Sequence, residues 1–182
     1  MLKLDLGCGA KKKEGFLGVD SVKCDGVDFV MDLTKDRLPL EDDSVDEIFS
    51  SHFFEHITDI KPVLKEMVRV SVNETKMEVW TPHLKSDPAF VLGHRYFYNE
   101  IIWRHICVEF PHIWFKDIDA TFRLDRIVYV LHPHIEEELE KQNISLPFAL
   151  KHLFNISPEF CVFMTLLKGK NVEKRSYGEP EV

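Results

Sequence analysis

The acids in this chain that could do chemistry stand at the ends of short apolar runs. Leu2-Lys3-Leu4-Asp5-Leu6 runs straight into Gly7-Cys8-Gly9, Phe16-Leu17-Gly18-Val19 closes on Asp20, and the stretch from Gly26 closes on Asp32. A strand that ends in a glycine turn lets bare backbone approach a ligand, and a carboxylate at the next strand end can accept from both hydroxyls of a ribose. Asp32 is placed to accept from an exocyclic amine, with Leu33 against the base. Three acids at three successive strand ends therefore suit a nucleoside. A plain tight turn at Gly7 and Gly9 explains one of these features but not the run.

A second constellation is His52-Phe53-Phe54-Glu55-His56, which matches H-x-x-E-H. On one helix, two histidines four apart can share a zinc ion. No downstream acid in a persuasive context completes such a site. Further on, His94-Arg95-Tyr96-Phe97-Tyr98 sets polar and aromatic groups together, either as a pocket lining or as an aromatic cap packed on the sheet.

Alternating elements must position these groups. Leu2 to Leu6, Phe16 to Asp20, Gly26 to Asp32, Val45 to Ser50 and Met77 to Thr81 read as strands, the last stopped by Pro82. Between the fourth and fifth, Ile60 to Val72 carries Ile60, Val63, Leu64, Met67, Val68 and Val70 at helical spacing. Repeated strand and connection predicts a mainly parallel, doubly wound α/β sheet. Ala10 to Gly15 is too short for a full crossover helix, and Arg37 to Ser44 is a polar connection. Residues 84–118 are aromatic-rich and poorly periodic. Phe122 to Leu131 and Phe160 to Leu167 read as long strands, an antiparallel pair for a sheet edge. Between them lie a charged helix, Glu136 to Asn143, and an apolar one, Leu146 to Ile156, suited to core or dimer packing. The tail from Lys168 is polar and expected to fray. No linker divides the chain, so 1–182 reads as one domain.

Leu4-Asp5-Leu6-Gly7-Cys8-Gly9, Gly18-Val19-Asp20, Met31-Asp32-Leu33, Leu38-Pro39 and Ser44-Val45-Asp46-Glu47-Ile48 together resemble the ordered motifs of a class I S-adenosylmethionine-dependent methyltransferase of the small-molecule, "methyltransferase type 11" kind. The resemblance covers residues 2–82. It implies a Rossmann-like, doubly wound sheet of seven strands, mainly parallel with an antiparallel C-terminal strand. It implies S-adenosyl-L-methionine as cofactor, with Asp5 and the Gly7, Cys8, Gly9 turn at its methionine part. Asp20 would hold the ribose, Asp32 and Leu33 the adenine, and Ser51 and His52 would face the methionine end. A nicotinamide or flavin fingerprint fits less well, because Lys12 stands where a third glycine belongs and Asp20 arrives early.

Methyl transfer is an in-line attack on a sulfonium carbon, and the enzyme supplies positioning and, for a hydroxyl or amine, a base. His52 and His83 are the candidate bases, each against the alternative of a hydrogen-bonded structural histidine. His94, Tyr96 and Tyr98 are candidates for acceptor binding, with Arg95 or Arg104 for an anionic group. Such methyltransferases often carry His and Glu-His after the fourth strand without metal, so no metal is expected at His52 and His56. Pro-Gly-Gly is replaced by Asn73-Glu74-Thr75 before the fifth strand, and no helices precede the first. Residues 84–118 are then the expected lid, the alternative being one supplied by a partner chain.

Composition narrows the partners. The chain has 182 residues, 45% of them hydrophobic, enough for a single core, and 31 acids against 23 bases give a net charge of -8. An acidic chain is poorly suited to phosphate backbones, so nucleic acid is disfavoured. Lys11-Lys12-Lys13 reads as a solvated loop. Four unpaired cysteines, no leader and no long apolar run lead to a cytoplasmic expectation with no membrane span. The expectation is a methyltransferase acting on an O or N atom of a small-molecule acceptor, with a homodimer open. The alternatives are a non-catalytic S-adenosylmethionine-binding subunit, or a tailoring enzyme for sugar or polysaccharide precursors that needs a partner.

Overall fold

The structure, a computed structural model, describes residues 1–169. The fraying expected of the tail falls mostly on residues outside these. Seven strands form one sheet: β1 (Leu2–Leu6), β2 (Leu17–Asp20), β3 (Phe29–Val30), β4 (Val45–Ser51), β5 (Ser71–Pro82), β6 (Ala120–Val130) and β7 (Glu159–Lys168). Their order is β3-β2-β1-β4-β5-β7-β6. β1 to β5 pair parallel, and β7 runs antiparallel between β5 and β6, as the resemblance implied.

The connections are unequal. No helix lies between β1 and β2, β2 and β3, or β3 and β4. The first true crossover is α1 (Ile60–Val70), started by Asp59, whose carboxylate accepts from the Lys61 N–H at 3.0 Å. Its buried face is Val63, Leu64, Met67, Val68 and Val70, each worth about 1.5–3 kcal/mol when removed from water. α1 runs into β5 without a loop. The sequence places that strand at Met77 to Thr81, but pairing resumes at Ser71, against Val45. Residues 72–75 bulge out between, with Glu74 at φ +71° and the Thr75 hydroxyl donating to the Val45 carbonyl at 2.8 Å.

The stretch from 84 to 118 holds α2 (Glu100–Arg104), a π-helical stretch (His105–Glu109) and α3 (Pro111–Ile118). These pack against α1 and β6, and so form part of the helical layer. α4 (Ile135–Lys141) and α5 (Leu146–His152) build a small separate core of Leu139, Ala149, Leu150 and Ile156.

Register explains the two sides of the sheet. Leu4, Leu6, Ile48, Met77, Val79, Val162 and Met164 lie on one face and are buried. The other face carries Lys3 paired with Glu47 (2.5 Å) and Lys13 paired with Glu78 (2.6 Å). On the same side, Lys13 sits 4.0 Å from the Phe49 ring centre and Arg126 4.0 Å from that of Phe163. Among the described residues no helix is long and apolar enough to cross a membrane.

Candidate active site

Strand order reverses between β1 and β4, and a sheet of this kind opens a crevice at the carboxyl ends of those two strands. Gly7 leaves β1 with φ +70°, and its N–H and that of Cys8 donate to the Val19 carbonyl at 2.8 and 3.2 Å. A Cβ on Gly7 would lie 2.6 Å from Phe53, so the turn fits against that side chain only as glycine. Asp20 ties the turn to the end of β2. Its two oxygens accept from the Gly9 N–H at 2.9 Å and the Val22 N–H at 2.8 Å, leaving one lone pair on each.

Asp32 opens a tight turn of its own. It accepts from the Lys35 ammonium at 2.6 Å and from the Thr34 hydroxyl and N–H at 2.6 and 3.0 Å. Lys35 first, then Thr34, pull its carboxyl down to about 2. A cavity of about 550 Å³ joins these parts, with Gly7, Asp20, Met31, Asp32 and Leu33 on one side and His52, Phe53, His56 and Ile57 on the other. That is room for a ligand of nucleoside size with a short tail.

Asp5, Cys8, Gly9 and Ser51 stand next to the cavity without lining it. Asp5 is 2% exposed and accepts from the Lys13 N–H at 2.8 Å, bracing the short loop that replaces the crossover helix. Burial pushes its carboxyl up, against the pull of the Lys13 N–H and nearby lysines.

His52 sits at φ +55° on the cavity wall, clamped by two carboxylates: Nδ1 is 3.1 Å from Glu55 and Nε2 2.7 Å from Glu159 on β7. Glu55 above all, then Glu159, raise its pKa against the effect of partial burial. As imidazolium it donates to both. It can take a further proton from a ligand only when neutral and with one nitrogen released. His83 is elsewhere: 2% exposed, packed edge-on to Tyr129 and Phe160, with Nε2 3.5 Å from Glu100.

The three acceptor candidates face different surroundings. His94 donates from Nδ1 to the Ala89 carbonyl at 3.0 Å and stands edge-on to His56. Tyr96 donates to the Thr58 carbonyl at 2.9 Å. Tyr98 is buried, stacked on Trp103, and its hydroxyl is 3.4 Å from the Phe54 carbonyl; burial pushes this phenol well up. Tyr96 and Tyr98 share a second, apolar cavity of about 390 Å³ with Ile60, Ile101, Ile106 and Trp114. The sequence did not single out Glu159. It reaches His52 from a strand at the far end of the chain, and no local pattern marks it. Phe53 lay inside a noted motif, but only the approach to Gly7 reveals its part.

Residues 10–75 match the family model described as a methyltransferase domain. No curated protein matches the sequence. The fold is similar to that of a SAM dependent methyltransferase from Archaeoglobus fulgidus, at TM-score 0.57 and 16% identity over 90% of this chain and 85% of that one. It is also similar to a SAM dependent methyltransferase from Aquifex aeolicus, at TM-score 0.54 and 16% identity over 91% and 81%. A third likeness is to the Haloferax volcanii complex between the Trm112 methyltransferase activator and a putative methyltransferase, at TM-score 0.54 and 14% identity over 92% and 83%. Identities this low speak for the fold. Together with the domain match, they give the chain the architecture of the class I S-adenosylmethionine-dependent methyltransferases, and S-adenosylmethionine is the cofactor that this architecture implies.

Proposed function

We propose that the protein transfers a methyl group from S-adenosylmethionine to an O or N atom of a small-molecule acceptor. The observation that carries this reading is the cavity at the strand-order reversal, walled by the glycine turn, Asp20 and the Asp32-Leu33 turn. The cofactor supplies a methyl carbon activated by its positive sulfur. The chain's own residues fit it: Asp20 keeps a lone pair on each oxygen for ribose hydroxyls, and Met31 and Leu33 offer an apolar wall to the adenine. Asp32 stays ionised at the edge of that wall. His52, on the opposite wall, holds a proton between Glu55 and Glu159 and is the group placed to exchange one with the acceptor. Residues 84–99 serve as the lid in this reading, since the N–H groups of Arg95 and Tyr96 donate to the Glu55 carbonyl at 2.6 and 3.3 Å.

Calorimetry with S-adenosylmethionine and S-adenosylhomocysteine tests the binding half. Micromolar affinity is expected, and no binding below the millimolar range would end the proposal. Asp20→Ala is expected to weaken binding at least tenfold, about 1.4 kcal/mol or more; unchanged affinity would remove the ribose assignment. Thermal unfolding of the ligand-free variant separates this from the loss of the Gly9 and Val22 hydrogen bonds. An acceptor screen with homocysteine detection tests turnover, and silence across hydroxyl and amine classes would favour a passive binding subunit.

A further inference from the structure

We propose that Glu55, His56 and His94 form a divalent-metal site of the zinc-binding kind at the rim of the cavity. Glu55 is 1% exposed, and while its Oε1 faces His52, its Oε2 has no hydrogen-bond partner. A buried carboxylate oxygen left bare is costly, and a cation is one of the few groups that removes the cost. One ligand atom from each of Glu55, His56 and His94 lies within 4.8 Å of the others. None of the three forms an ion pair with another, so a shared centre is open to them.

The imidazoles are prepared for this. His94 donates from Nδ1 to the Ala89 carbonyl at 3.0 Å, and Nδ1 of His56 lies 3.4 Å from the Gly93 carbonyl. Such bonds fix the tautomer that leaves Nε2 free, which is how metal-ligating histidines are usually oriented. Donors on one zinc sit about 2.0–2.2 Å from it, hence about 3.5 Å apart, so the trio has to close by about 1 Å. Two imidazoles and one carboxylate suit zinc or another first-row divalent ion, and three protein ligands leave a fourth position for water or a ligand atom.

The H-x-x-E-H spacing points to His52 as the partner of His56, but His52 is turned to Glu159. His94, from the segment that folds back over Glu55, takes that place instead. His56 belongs to the cavity wall as well as to the trio. An ion here would fasten residues 84–99 to the end of β4 beside the acceptor, a consequence that rests on the proposed function, whereas the site itself does not.

The test is zinc titration of chelator-stripped, full-length protein against a competing chromogenic chelator. One zinc per chain at micromolar affinity or tighter is expected. His56→Ala, His94→Ala and Glu55→Gln should each weaken it at least tenfold, while His112→Ala, an exposed histidine outside the trio, should not. Should Glu55→Gln fail to fold, the two histidine variants decide. Zinc should also raise the Tm of the wild type and leave that of His94→Ala unmoved. Substoichiometric binding, or wild-type affinity in the His56 and His94 variants, would overturn the proposal. Cofactor calorimetry on stripped protein is read separately, so failure of the metal site and failure of the methyltransferase reading are distinguishable.

Discussion

Gly7 and Gly9 share one turn and a left-handed backbone, at φ +70° and +51°, yet differ in what surrounds them. A side chain at Gly7 meets Phe53 at 2.6 Å, whereas one at Gly9 meets nothing within 4 Å. Gly9→Ala is therefore expected to cost only the backbone term of about 1–2 kcal/mol. Gly7→Ala adds overpacking, for about 2–4 kcal/mol in all, and displaces Phe53 into the cavity. Urea unfolding of the two variants checks this, and equal losses would contradict the close approach. The cysteines sort in the same way. Burial first, with Asp5 and Asp20 adding to it, pushes the Cys8 thiol up to about 11, burial pushes Cys161 to about 12, and Cys107 is displaced further in the same direction. Since only the thiolate alkylates, iodoacetamide at pH 8 should label Cys24 in the native protein and spare the other three. Peptide mass spectrometry reads that out, and early labelling of Cys8 would contradict it. At this scale the sequence was most legible where a role is local. Asp20 and Asp32 announce themselves at strand ends, while Glu159 does not, and His94 stands out in its polar-aromatic stretch without any sign of its nearness to Glu55 and His56, because those partners lie far away in the chain.

The elements show how a shortened fold holds its loops. Without a helix between β3 and β4, residues 37–43 are held chiefly by two side chains of α1, Arg69 and Glu66, the latter accepting from the Leu38 N–H at 2.6 Å. Arg69 donates to the carbonyls of Leu38 and Leu40 at 3.0 and 2.8 Å, and to the carboxylates of Asp42 and Glu66 at 2.6 Å each. Arg69→Ala should destabilise the protein by about 2–4 kcal/mol and open the loop. Arg69→Lys should rescue only part of this, since an ammonium cannot span the same set of acceptors. Limited trypsin digestion, read as cleavage after Arg37, checks both, and an uncleaved Arg69→Ala would refute the account. Helix α1 and the five leading strands were legible from periodicity. The start of β5 was not, because its polar bulge at Asn73-Glu74-Thr75 reads as a turn.

At the scale of the molecule, the mainly parallel sheet follows from the alternation of strand and connection, the seven strands with an antiparallel end follow from the resemblance, and the shortness of Ala10 to Gly15 marks only the first of three connections that lack a helix. The strands carry a further sign of this thin side. Lys3-Leu4-Asp5-Leu6 and Lys76-Met77-Glu78-Val79 alternate charge with apolar groups, the pattern of strands covered on one face, whereas doubly covered parallel strands read as unbroken apolar runs. What no pattern revealed is that β5 takes neighbours of such different origin. β4 reaches it through a 3-10 turn at Phe54–His56 and α1, a comparatively short connection, whereas β7 is separated from it by α2 to α5 and β6. During synthesis, β1 to β5 can assemble as a parallel half while the outer edge of β5 still presents its peptide groups to any passing strand. The longest strand of the sheet is thus an unprotected edge until the ribosome delivers β7, and the interval between them is when this chain most needs a chaperone's attention.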